Sequence, residues 1–134
     1  MKKILTLSLL FISMFSFAQE KKYQLSTHIL DVSQGIGVEN VIVNLSKMDQ
    51  KTKLFTIIGT QTTDVNGRVK NFLAEGKSNI GIYKLTFHTK TYFEEKKSKT
   101  LYPFIDVVFE ITNDEHYHVP ITLSAFGYST YKGN

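Results

Sequence analysis

The chain has 134 residues, with 16 Lys and Arg against 12 Asp and Glu, a formal charge of +4, and neither cysteine nor tryptophan. Its length suits one domain with a sizeable core. The lack of cysteine excludes disulfides and thiolate chemistry, so a catalytic group must be of another kind. The basic excess is small and contains no basic run, which argues against a nucleic-acid partner.

The N-terminal segment predicts a secretory signal peptide over residues 1–18. Two lysines precede an apolar run, residues 4–17, and Ser16 and Ala18 put small residues at the two positions that a signal peptidase reads. The run is shorter than the about 20 residues of a membrane helix, and no second such run follows, so we expect no membrane partner. Cleavage after Ala18 would leave a mature domain over residues 19–134 that is periplasmic or secreted.

Alternation with a period of two dominates the rest of the chain and predicts half-buried strands. Turn residues punctuate these strands at the spacing of an all-β sandwich, and we expect one short helix near 93–99. The alternating apolar positions are Val41, Val43 and Leu45; Tyr83, Leu85 and Phe87; and Ile105, Val107, Phe109 and Ile111.

Two polar residues stand in the first half of the domain without a defined role. His28 lies in an early strand with mixed patterning, so its face is ambiguous, and a lone strand histidine is more often structural than catalytic. Arg68 follows Asn66-Gly67, which we interpret as a hairpin turn. An arginine there is by default a solvated charge, and a functional role requires a planar anionic or carbonyl-bearing partner.

The last strand carries the strongest functional signal. Its apolar residues Tyr117, Val119 and Ile121 share one face, so His116 and His118 should point the other way. Two histidines side by side on an outer sheet face are not core residues. They form either a solvated pair or part of a site.

Five strings of the chain point to a known family: "LSTHILDVSQGIGVENVIVNL", "TDVNGRV", "YKLTFHTKTYFEE", "YPFIDVVFEI" and "EHYHVPITLSAFGYSTYKGN". By these strings the chain resembles the 5-hydroxyisourate hydrolases, the transthyretin-related enzymes of purine breakdown. The resemblance implies a transthyretin-like sandwich of eight strands with one short helix, no cofactor, and a homotetramer with active sites between its dimers. It also implies that His28, Arg68 and His118 form the catalytic group.

The resemblance further implies that the C-terminal tetrapeptide, Tyr131 to Asn134, closes the substrate pocket. We therefore expect substrate contacts from His116, Tyr131, Lys132, Gly133 and Asn134. The family pattern ends in Tyr-Arg-Gly-Ser, whereas this chain has lysine and asparagine at the second and fourth positions. Lysine keeps the charge without the planar fork of arginine, and asparagine offers no hydroxyl, so activity could be altered. The chain stops where these enzymes stop, whereas transthyretins, which lack the catalytic group, continue.

The chemistry implied is attack of water on a lactam carbonyl of 5-hydroxyisourate. Histidine titrates near neutral pH and can deprotonate the water, while an arginine can hold the developing oxyanion. The residues do not decide whether His28 or His118 is the base.

Three alternatives remain open from the residues. His28, His116 and His118 have the ligand type that zinc prefers, although an i, i+2 pair without a carboxylate is a weak signal. A non-catalytic exported sandwich that binds a small ligand is the second alternative. A nucleophilic hydrolase is the least supported, because no serine lies in an elbow motif.

Overall fold

The computed structural model describes residues 22–134, so the predicted signal peptide lies outside the described residues. No helix in that range is long and apolar enough to cross a membrane. The elements in chain order are β1 (Tyr23–Asp31), β2 (Ile36–Gly37), β3 (Ile42–Met48), β4 (Phe55–Thr62), β5 (Arg68–Ala74), β6 (Gly81–Phe87), α1 (Lys90–Glu95), β7 (Ile105–Ile111), β8 (Tyr117–His118), β9 (Ile121–Ser124) and β10 (Gly127–Thr130).

The strands form two sheets, as predicted for a sandwich. One sheet is antiparallel with the order β4-β3-β6-β7. In the other, β1 is central: β5 and β2 pair with one edge of it, β8 and β9 run parallel to its other edge, and β10 pairs with β9. Counting β8 and β9 as one interrupted strand and setting aside the two-residue β2 leaves eight strands, which is the number that the resemblance implies.

The core lies between the two sheets and is built by the alternating residues. Leu45 and Leu85 come from one sheet and Ile29, Ile121 and Leu123 from the other, and each is at most 1% exposed. Full burial of such a side chain contributes about 1.5–3 kcal/mol. Because the buried positions of β1 are odd-numbered along most of its length, the even-numbered positions 26, 28 and 30 lie on its outer face.

The helix lies three to four residues earlier than predicted, at Lys90–Glu95 rather than near 93–99. Lys97 takes a left-handed conformation with φ of 52°, and the Ser98 amide donates to the Phe93 carbonyl at 2.9 Å. This is the hydrogen-bonding pattern of a Schellman motif, which ends a helix. The end was not visible in the sequence because glycine, the usual residue at this position, is replaced by lysine.

A buried carboxylate ties the helix to the central strand. The Tyr92 hydroxyl donates to Asp31 Oδ2 at 2.6 Å, and the Ser33 amide donates to Asp31 Oδ1 at 2.8 Å. Burial alone would raise the pKa of Asp31, but hydrogen bonds from the Ser33 hydroxyl, the Tyr92 hydroxyl and the amides of Ser33 and Gln34 outweigh it and hold the pKa below its usual value. Asp31 is therefore a charged structural residue inside the fold.

The interpretation of Asn66-Gly67 as a hairpin turn is wrong. The Gly67 amide does donate to the Asp64 carbonyl at 2.8 Å and closes a tight turn, but β4 and β5 lie in different sheets. The turn therefore carries the chain across the sandwich. Gly67 has φ of 75°, and an added Cβ would lie 2.5 Å from the Val38 nitrogen, so only glycine fits.

Candidate active site

Three strands of the second sheet bring the predicted catalytic residues to one face. His28 of β1 lies directly opposite Arg68 of β5, and Ser26 of β1 lies opposite His118 of β8. Since Ser26 and His28 are two residues apart on one strand, their side chains point to the same side. His118 points away from the core, because its neighbours Tyr117 and Val119 are the buried ones.

Ser26 connects the two histidines of the last strand. Its hydroxyl oxygen lies 2.9 Å from His116 Nε2 and 2.8 Å from His118 Nδ1. His116 Nδ1 lies 3.1 Å from the Tyr23 carbonyl oxygen. Sequence reasoning missed Ser26 as a site residue. Its spacing of two from His28 was the available signal, but only the pairing of β1 with β8 places it beside His118.

The turn before β5 positions Arg68. Asp64 Oδ1 accepts hydrogen bonds from the amides of Asn66 and Arg68, both at 2.9 Å. The hydrogen bond from the Arg68 amide is the main reason that the pKa of Asp64 is lowered, so this carboxylate is ionised at neutral pH. The backbone of Arg68 is thus fixed, while its side chain is exposed above the sheet.

The pKa of both site histidines is lowered. For His28 the main cause is burial, followed by the charge of Arg68, while a backbone hydrogen bond at Asn66 and the charge of Asp64 act in the opposite direction. For His118 the main cause is burial, followed by the charge of Arg68 and by the repulsion that a protonated His118 would meet from protonated His28 or His116, while a backbone hydrogen bond at Ser26 acts in the opposite direction. Both imidazoles are therefore neutral at pH 7, as a proton acceptor must be.

The C-terminal tetrapeptide folds back against β8. The Gly133 amide donates to the His118 carbonyl at 2.8 Å, and the two residues form an isolated antiparallel bridge. A Cβ on Gly133 would lie 2.5 Å from His118 Cδ2, so the absence of a side chain allows this approach. Tyr131, Lys132 and Asn134 are exposed along the same edge, and Lys132 Nζ lies 5.1 Å from the centre of the Tyr117 ring.

His28, Arg68 and His118 therefore share one outer face of the sheet, with Gly133 held against His118. Lys132 instead lies over the Tyr117 ring, with its Nζ 3.9 Å from Glu115 Oε2. Within residues 22–134, no group of three or more His, Cys, Asp or Glu side chains is arranged to hold a metal ion. The ring nitrogens of His116 and His118 approach the Ser26 hydroxyl instead. The face that carries His28, Arg68 and His118 can accept a proton from water beside the positive charge of Arg68.

Comparisons with known proteins agree with this arrangement. The model of the HIUase/Transthyretin family matches residues 25–133. The chain is 33% identical over 111 residues to a mouse 5-hydroxyisourate hydrolase, covering 82% of this chain and 94% of the relative. It is 43% identical over 111 residues to a 5-hydroxyisourate hydrolase of Salmonella dublin, covering 82% of this chain and 80% of the relative.

Solved structures show the same fold. A 5-hydroxyisourate hydrolase of Klebsiella pneumoniae superposes with a TM-score of 0.70 at 31% identity, covering 82% of this chain and 98% of that one. Sea bream transthyretin in complex with thyroxine superposes with a TM-score of 0.76 at 28% identity, covering 82% of this chain and 94% of that one. The chain belongs to the HIUase/transthyretin family.

Proposed function

We propose that the protein is an enzyme that hydrolyses 5-hydroxyisourate to 2-oxo-4-hydroxy-4-carboxy-5-ureidoimidazoline in urate catabolism. The observation that carries the proposal is the meeting of His28, Arg68 and His118 on one outer sheet face, from three separate strands. This is the catalytic group that the resemblance implies, and hydrolases of 5-hydroxyisourate are among the relatives.

In the proposed reaction, water attacks a lactam carbonyl, the bond between the carbonyl carbon and the ring nitrogen breaks to open the six-membered ring, and the proton taken from the water passes to the departing nitrogen. His28 and His118 between them position the water and accept its proton, because their lowered pKa values keep both neutral. Arg68 stays cationic and stabilises the oxyanion that develops on the carbonyl oxygen. The C-terminal tetrapeptide, with Gly133 held against His118, covers the substrate from one side.

We also propose a homotetramer with its active sites between dimers, exported after removal of residues 1–18. The support for the assembly is that the candidate site is an open face, on which Arg68, His116 and most of the tetrapeptide are exposed. A second subunit facing this surface would exclude water from the substrate. Light scattering of the purified protein at micromolar concentration tests the assembly, and a monomeric mass would contradict it.

The decisive experiment follows the ultraviolet decay of freshly generated 5-hydroxyisourate with and without the protein. The protein should accelerate the decay, and His118→Asn should lower turnover by at least about tenfold, a bound set below the roughly 10²- to 10⁴-fold that a general base contributes. His88→Asn is the matched control, because this exposed histidine contacts Asn44 on the other sheet. Turnover of His118→Asn close to that of the control would refute the assignment.

A non-catalytic ligand-binding protein is the second candidate. The observation in its favour is the superposition on sea bream transthyretin in complex with thyroxine, whose TM-score is no lower than that of the hydrolase. Ligand that binds only the folded state raises the melting temperature. A binder would therefore show this shift on addition of 5-hydroxyisourate without accelerating its decay.

A further inference from the structure

We infer that Ser26 and His116 are positioning residues that fix the tautomer of His118, with its proton on Nδ1 and its Nε2 free to accept a proton. The role of His118 Nε2 as a proton acceptor rests on the proposed function, whereas the tautomer of His118 does not depend on the substrate. Three contacts form the relay: Tyr23 carbonyl to His116 Nδ1 at 3.1 Å, His116 Nε2 to Ser26 Oγ at 2.9 Å, and Ser26 Oγ to His118 Nδ1 at 2.8 Å.

The direction of the relay follows from its first member. A backbone carbonyl oxygen can only accept, so His116 Nδ1 must carry the proton in the contact with Tyr23. A neutral imidazole has one protonated and one bare nitrogen, so His116 Nε2 is the acceptor. The contact with Ser26 can then form only if the serine hydroxyl donates to His116.

The same reasoning determines the state of His118. The serine hydroxyl has a single hydrogen, and His116 takes it, so Ser26 Oγ can only accept from His118. His118 Nδ1 must therefore carry the proton, and its Nε2 is left with a free lone pair. This tautomer leaves Nε2 free to act as a general base, and it is set by the Tyr23 carbonyl through three successive contacts.

The geometry of the ring agrees with a reactive Nε2. The atom of His118 closest to the position of a Gly133 Cβ is Cδ2, the carbon bonded to Nε2, so this edge of the ring lies beside the C-terminal tetrapeptide. The opposite edge, at Nδ1, is occupied by Ser26. Nδ1 of His118 thus contacts Ser26, and Nε2 lies on the edge of the ring that faces the C-terminal tetrapeptide, where we place the substrate.

The inference changes the role expected of His116. Both of its ring nitrogens are engaged, one with Ser26 and one with the backbone of β1. It is therefore a support for His118 and not a substrate contact. Since the relay joins β1 to β8 across 92 positions of sequence, loss of either member should alter the tautomer without unfolding a strand.

Long-range proton–nitrogen NMR of the ¹⁵N-labelled protein tests the relay, because protonated and bare imidazole nitrogens have well-separated shifts. At about pH 8, above the usual histidine pKa, wild-type His118 should show a protonated Nδ1 and a bare Nε2. Ser26→Ala and His116→Ala should shift His118 towards the Nε2–H form, which free histidine prefers in water. Ser26→Thr keeps the hydroxyl and should retain the wild-type tautomer.

Kinetics provide the second measurement. Ser26→Ala and His116→Ala should lower kcat by at least about fivefold, with a smaller change in KM, while Ser26→Thr stays near wild type. The loss is smaller than the roughly 10²- to 10⁴-fold for a removed base because His118 itself is still present. A bare Nδ1 in wild-type His118, or an unchanged tautomer in Ser26→Ala, would overturn the inference. The spectra need no substrate, so they test the relay independently of the reaction. If the protein shows the expected tautomer but does not hydrolyse 5-hydroxyisourate, the proposed function is refuted and the relay is not.

Discussion

Gly133 is the position at which the smallest change should most directly disturb the candidate site. Its amide donates to the His118 carbonyl, and its missing side chain leaves room for the His118 ring. In Gly133→Ala, the added carbon would lie 2.5 Å from Cδ2, 3.2 Å from Cγ and 3.4 Å from Cβ of His118. Carbon atoms in contact normally lie about 3.5–4.0 Å apart, so either the ring or the tetrapeptide must move.

The size of the effect follows from comparing the two opposing contributions. Forcing an extra carbon into a packed position costs about 1–3 kcal/mol. The hydrogen bond from Gly133 to His118 contributes about 0.5–1.5 kcal/mol net, less than most of the range for the clash, so the clash should displace the tetrapeptide. At 1.4 kcal/mol for each factor of ten, the ratio of docked to undocked tetrapeptide should fall by about 5- to 150-fold. At the middle of both ranges the docked fraction falls about fivefold, and turnover of 5-hydroxyisourate should fall with it.

The assay is the ultraviolet decay of 5-hydroxyisourate, with thermal melting as a check on the fold. The melting temperature of Gly133→Ala should stay within about 2 °C of wild type, because the tetrapeptide is an exposed end segment. Gly127→Ala is the matched control, since its added carbon would meet Ser124 Oγ at an ordinary 3.7 Å. If Gly133→Ala and Gly127→Ala had the same turnover, the close approach of the tetrapeptide would have no part in catalysis.

Three further predictions concern charge, stability and the tetrapeptide. Arg68→Met removes one cause of the lowered histidine pKa values, so the acid limb of the plot of kcat/KM against pH should move to higher pH. If this limb did not move, the charge of Arg68 would not influence the catalytic base. Tyr92→Phe removes a hydrogen-bond donor to the buried carboxylate of Asp31 and should lower the free energy of unfolding by about 1–3 kcal/mol. The melting temperature should fall by about 4 °C or more, while turnover at 25 °C should not change, and an unchanged melting temperature would contradict the prediction. The double change Lys132→Arg and Asn134→Ser should raise kcat/KM about two- to tenfold, which is the equivalent of one net hydrogen bond. If the double variant and the wild type had the same kcat/KM, lysine and asparagine would serve as well at these positions as arginine and serine.

The sequence by itself determined the fold class and the outward direction of the last-strand histidines. A period of two requires no knowledge of the partner strand, so Val43, Leu45, Tyr83 and Leu85 could be assigned to a core before any pairing was known. The same parity argument separated His118 from its buried neighbours. The quoted strings then pointed to the family, because they match along most of the chain.

Only the tertiary structure decided which side chains meet. The face of His28 was ambiguous because the polar residues Gln24 and Thr27 are buried in β1 and break the simple pattern. The contact of Ser26 with His118 depends on parallel pairing between strands that lie 92 positions apart, and local periodicity contains no information on such pairing. For the same reason, the turn before Arg68 could be read as a turn but not as a crossing between sheets. The meeting of His28, Arg68 and His118 from three strands is therefore a property of sheet order, which the chain acquires only on folding.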